Sequence, residues 1–130
     1  MAANLHRLAV SAMAKAHAPY SKFPVGAALL TADGRTYSGC NIENVSYPEG
    51  WCAETTAIGH MVMDGGGEIA EIAVVARRQV AVTPCGGCRQ RLKEFGRPDT
   101  KVHLCDMNGI VETVTLGDLL PKAFEMGERT

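Results

Sequence analysis

Four residues carry chemistry that their neighbours do not explain. Cys52 and Glu54 stand in "CAE", and Cys85 and Cys88 stand in "TPCGGCRQ". Thiolates ligate zinc well, and a C-x-x-C pair is a frequent half of such a site. A structural zinc ribbon needs a second C-x-x-C, and this chain has none. Either some other residue completes the set or the pair is redox-active, because redox C-x-x-C motifs also sit at strand-to-helix turns.

Helical periodicity supplies a partner. Glu54, Ala57, Ile58 and Met61 fall at i, i+3, i+4 and i+7, which is one apolar stripe on a helix. Glu54 is therefore a carboxylate turned toward a core, with Cys52 at the helix start. Cys85, Cys88, Leu92 and Phe95 form a second stripe, again with thiols in the first turn. The positive end of a helix dipole favours thiolate at both places. If the two ends abut, Cys52, Cys85 and Cys88 make a three-thiolate zinc set. Three protein ligands with one open position is the pattern of a catalytic zinc, and Glu54 is the nearest base for a water held there. Gly86 and Gly87 let backbone pass close by and leave N–H groups for sulfur.

A non-enzymatic, zinc-stabilised interaction module is the reading from another class. It needs a fourth protein ligand, and the spare donors are Cys40, Cys105, His6, His17, His60 and His103. The two cysteines read as buried strand residues. The histidines read as surface or loop residues.

The elements that must position these groups follow from pattern. Asn4 is expected to cap a first helix whose apolar face is Leu5, Leu8, Ala9, Ala12, Met13 and Ala16, ending before Pro19. A hairpin follows, with strands 25–31 and 36–42 around the Asp33-Gly34 turn. The Cys52 helix runs to Met63 and stops at "DGGG". "EIAEIAVVA" is a central strand. Thr83 and Pro84 open the second site helix, which ends near Gly96. "KVHLCD" and "IVETVT" are strands about the Asn108-Gly109 turn, and "LGDLLPKAF" is a short helix broken at Pro121. The order αββαβαββα implies an α/β fold with a mixed sheet covered by helices.

Bulk properties narrow the function. The chain has 130 residues and is read as one domain, 1–130. A net charge of -1 gives no electrostatic case for nucleic acid or a membrane surface. No apolar run approaches the roughly 20 residues that span a bilayer. His6, Arg7 and Lys15 interrupt the N-terminal apolar positions, so a secretory signal is not expected. Five cysteines, an odd number, argue against a disulfide framework and for a cytoplasmic protein with reduced thiols. The Arg77-Arg78 pair reads as a solvated loop.

Five blocks together, "PYSKFPVGAALL", "GCNIENVSY", "CAE", "TPCGGCRQ" and "LGDLLPKAF", resemble the small, zinc-dependent cytidine deaminases over nearly the whole chain. The resemblance implies a three-layer α-β-α fold with about five strands, and a homotetramer whose active sites are shared between subunits. It implies one zinc per subunit on Cys52, Cys85 and Cys88, with Glu54 shuttling protons as water attacks C4 of cytidine or deoxycytidine. Phe23 would pack on the pyrimidine, Asn41 and Glu43 would bind ribose hydroxyls, and backbone at Cys52 and Ala53 would read the base edge. Phe124 would reach the base of a neighbouring subunit. A related substrate such as blasticidin S is the nearest alternative, since its deaminases share the cysteine motifs. "NIEN" and "LLPKAF" favour the simple nucleoside.

One position departs from the pattern. Many members of that family carry arginine directly after C-A-E, and here the residue is Thr55. Zinc with three thiolates has a formal charge of -1, which blunts Lewis acidity. The Thr55 hydroxyl offers at best one neutral hydrogen bond to sulfur. The helix dipoles and the Gly86 and Gly87 amides remain as compensators, and Arg89 is a candidate cation whose direction the sequence leaves open.

Overall fold

Two strand registers decide where the chemistry can gather. In the computed structural model, which describes residues 2–126, strand β1 (Val25–Thr31) pairs antiparallel with both β2 (Thr36–Cys40) and β3 (Ile69–Ala76). Gly26 lies opposite Cys40, and Val25 lies opposite Ala76. The start of β1 and the ends of β2 and β3 therefore share one edge of the sheet. The segments that leave those strands meet there.

β3 also pairs parallel with β4 (Lys101–Asp106), which pairs antiparallel with β5 (Gly109–Thr115). The order is β2-β1-β3-β4-β5, a mixed five-stranded sheet with β3 at its centre. The parallel pair needs a crossover, and α3 (Gly86–Phe95) supplies it.

Alternation along the strands sends apolar side chains to both faces. Ala28, Ala73 and Val75 meet Leu5, Ala9 and Met13 of α1 (Ala2–Met13). Ala27, Leu29, Ile72 and Val74 meet Ala53, Ala57 and Met61 of α2 (Ala53–Met63) and Leu92 of α3. The architecture is the expected three-layer α-β-α. A short α4 (Leu116–Leu119) closes the chain, capped by Thr115 and Asp118, which bond each other's backbone N–H.

α2 is seated without a spacer. A Cβ on Gly39 would come within 2.5 Å of Ala57 N and 2.7 Å of Ala53 O. Thr56 Oγ1 then donates to Cys40 O at 2.8 Å. The first turn of α2 is thus fixed against the end of β2.

Three expectations need correction. Asn4 is not a cap: the helix begins at Ala2, since Ala2 and Ala3 propagate it backward, and the Asn4 side chain accepts from Arg7 instead. β2 stops at Cys40, because Ile42 turns away to bridge His17 and Trp51. His103 is no surface or loop residue. It is buried on β4, hydrogen-bonded to Glu71 at 2.7 Å and Thr113 at 2.8 Å. Its register partner Ala73 faces α1, so His103 projects to the face opposite the site helices.

Candidate active site

Each site helix begins at a cysteine. Cys52 is the N-cap of α2 and Cys85 is the N-cap of α3, both with extended backbone. Neither side chain bonds its own helix, so both sulfurs are available to point elsewhere. Cys88, one turn along α3, is fully buried. The three sulfurs lie within 4.8 Å of one another, and Cys52 Sγ to Cys85 Sγ is 3.8 Å. Tetrahedral zinc with Zn–S near 2.3 Å requires sulfurs about 3.8 Å apart, so the donor set fits the ion. Cys85 departs from the inward stripe expected of it. As a cap it stands outside the buried face of α3 and is exposed.

No other Cys, His, Asp or Glu among the described residues joins that cluster. Cys105 is buried in the α1-side core. Cys40 ends β2 half-buried. The rings of His6 and His60 bond the carbonyls of Asp106 and Ser38. His17 bridges to Ile42 through its backbone.

Electrostatics divide the acids. A hydrogen bond from Cys88 is the main reason the Cys52 thiol falls to about 6, helped by Cys85 and Arg91. The same bond and burial push Cys88 far up. Glu54 is buried in the first turn of α2, and that burial raises its carboxyl to about 7. The Cys52 charge adds to the rise, and Arg91 opposes it.

A cavity of about 490 Å³ opens over this group, at the sheet edge where the segments meet. It brings Phe23, Asn41, Glu43, Ala53 and Glu54 together with Cys52 and Cys85. Tyr47, Trp51, Val82 and Thr83 complete much of its wall. Asn41 Oδ1 accepts from Val25 N at 2.9 Å, and its Nδ2 donates to Phe23 O at 3.0 Å. Each amide atom keeps one further bonding position. The Glu43 carboxylate accepts from the backbone N–H groups of Tyr20 and Ser21 and from the Ser21 hydroxyl. Those bonds, the hydroxyl's first, hold Glu43 below its ordinary value. Arg78 ties the next loop in by donating to Lys22 O. Phe124 does not line this cavity and is 71% exposed, its carbonyl accepting from Gln90.

Neither side chain that the sequence offered against the thiolate charge bonds a site sulfur. The Thr55 hydroxyl is buried and bonds nothing. Arg89 turns away, donating to Pro84 O at 2.8 Å and Leu119 O at 3.1 Å. Arg91 was missed: its Nη1 donates to Cys88 Sγ at 3.6 Å. Its position three residues after Cys88 was the signal, since i and i+3 are neighbours on a helix.

Residues 1–104, which span the cavity and all three cysteines, match the family model for the cytidine and deoxycytidylate deaminase zinc-binding region. The chain is 49% identical over 110 residues to a cytidine deaminase of Sporosarcina psychrophila, covering 85% of this chain and 81% of that protein. It is 46% identical over 116 residues to one from Halalkalibacterium halodurans, covering 89% and 88%. The fold matches the crystal structure of cytidine deaminase from Burkholderia pseudomallei with a TM-score of 0.88 at 46% identity, over 93% of this chain and 97% of that one. For the enzyme from Mycobacterium tuberculosis the TM-score is 0.85 at 41% identity, over 95% and 96%. Caps, thiols, buried carboxylate and cavity thus sit in a chain that belongs to the zinc-dependent cytidine deaminase family.

Proposed function

We propose that this protein catalyses the hydrolytic deamination of cytidine and 2'-deoxycytidine to the uridine counterparts, with release of ammonia. The observation that carries the reading is Glu54, a buried carboxyl that lines a nucleoside-sized cavity together with Cys52 and Cys85 of the three-thiol cluster. Cys52, Cys85 and Cys88 would hold one zinc per subunit. When bound, zinc supplies an acidified water as the nucleophile for C4 of the pyrimidine.

Glu54 does the proton work. Ionised, it takes a proton from the attacking water. Protonated, it delivers that proton to N3, then takes the second proton from the hydroxyl added at C4 and passes it to the departing amine. A carboxyl poised near neutrality holds both states in reach. Phe23 packs on the ring, and Ala53 and Cys52 present backbone to the base edge. Asn41 and Glu43, already fixed by the 20–25 segment, keep bonding capacity for the ribose hydroxyls.

Oligomerisation belongs to the same reading. Val45, Tyr47, Met63, Phe124 and Met126 are each more than 70% exposed, and the reading supplies an interface for them. A homotetramer would cover them and carry Phe124 to a neighbour's cavity. The role is cytoplasmic pyrimidine salvage. No helix among the described residues is long and apolar enough to cross a membrane.

Purified protein mixed with cytidine should lower its ultraviolet absorbance as uridine forms. No change with zinc bound would sink the proposal. Faster turnover of blasticidin S than of either nucleoside would redirect it.

A further inference from the structure

Resting on the zinc reading of the three cysteines, we propose that Arg91 is the positioning residue that neutralises the thiolate set, through its guanidinium on Cys88 Sγ. The formal sum is simple. Zinc at +2 with three thiolates leaves -1, and one guanidinium brings the site to zero. An uncompensated negative charge is poorly placed over buried sulfur, and it weakens the pull of the metal on a ligand oxygen.

Three observations assign the task to Arg91. Its Nη1 lies 3.6 Å from Cys88 Sγ, the buried member of the set. The two other side chains that could have approached the sulfurs do not bond them. Arg89 spends its donors on the carbonyls of Pro84 and Leu119, and the Thr55 hydroxyl has no partner. The backbone also makes room. A Cβ on Gly87 would lie 3.3 Å from Arg91 Nη1, 3.8 Å from Cζ and 4.0 Å from Nη2. The guanidinium lies over the surface that glycine leaves bare. Arg91 leaves α3 at an exposed position and turns back across Gly87 to reach the sulfur.

The effect runs through the sulfur. A guanidinium donating to Cys88 draws electron density from that thiolate, so less reaches the metal. A zinc held there would then be the stronger Lewis acid, with no contact between Arg91 and substrate. Charge, more than shape, is the property required.

Cobalt substitution reads this directly, because thiolate-to-cobalt charge-transfer bands report how tightly sulfur holds its electrons. Cobalt-loaded wild type is compared with Arg91→Met and Arg91→Lys, alongside kcat and KM of the zinc forms. In Arg91→Met the band should move to lower energy, and kcat should fall by about 10–100-fold with KM little changed. Arg91→Lys should recover most of both. A Met variant with the wild-type band and kcat would overturn the proposal, and so would a Lys variant as impaired as Met. A wild type with no charge-transfer band would overturn the zinc reading itself and this proposal with it. The melting temperature of each loaded variant separates these effects from misfolding.

Discussion

Cys52 Sγ lies 3.8 Å from Cys85 Sγ, across 33 residues of chain and from the cap of a different helix. An ion held by both sulfurs ties the starts of α2 and α3 together. Zinc at a hundred-fold excess over its Kd adds about 2.7 kcal/mol to the native state. Chelation should therefore lower the Tm by roughly 10 °C. Cys85→Ser should lose the metal and become insensitive to chelator, as metal analysis and thermal melts would reveal.

Glu54 gives a prediction with a definite sign. Its folded value, about 7, lies above the ordinary 4.5. Between those values the native protein holds a proton that the unfolded chain releases. Stability thus falls as pH rises through that window, by about 3 kcal/mol once the carboxyl is fully ionised. Glu54→Gln removes the ionisation. It should abolish turnover, keep the metal and melt higher than wild type above pH 7. The gain should vanish below pH 4.5. A variant that melts lower at pH 8 would contradict the assignment.

Gly39 tests how α2 is seated. Gly39→Ala forces a methyl against Ala53 O and Ala57 N, both backbone atoms that cannot step aside. Overpacking of this kind costs about 1–3 kcal/mol. Because the displaced turn carries Cys52 and Glu54, metal content should fall along with stability. Retained zinc at full occupancy would show that the turn has room to shift.

Asn41 should show a mixed phenotype. Asn41→Ala strips a partner from Val25 N–H and from Phe23 C=O at the cavity wall. Leaving such groups unpaired costs about 1–3 kcal/mol of stability. It also removes the proposed ribose contact, so KM should rise more than kcat falls. Ser21→Ala should be milder. It removes the largest of the bonds that keep Glu43 acidic, raising the Glu43 carboxyl without emptying its backbone partners. A KM–pH profile whose acidic limb moves up in Ser21→Ala would check this.

Periodicity exposed the inward face of α2, and the Glu54 stripe is buried as expected. The strands "EIAEIAVVA" and "KVHLCD" were readable because apolar runs bounded by turns have few other uses. Asn4 misled, since a good capping residue loses to two alanines able to propagate the helix behind it. His103 looked ordinary because its partners Glu71 and Thr113 come from neighbouring strands. Strand pairing is invisible to local pattern. Arg89 and Arg91 differ by two residues, which on a helix means nearly opposite directions. Composition alone could not choose between them.

The two cysteines at the start of α3, the glycine that clears space and the cation that reaches Cys88 fall within the seven residues from Cys85 to Arg91. Charge balance at this site is therefore a local property of one helix start. α2 adds a sulfur and a carboxylate and carries no balancing charge of its own. Position 55 is released from that duty, and a half-buried threonine with an unbonded hydroxyl stands there instead. Across relatives, arginine at 55 and arginine at 91 should behave as alternatives. Two positions 36 residues apart would then drift as a pair, each change permitted only by the other.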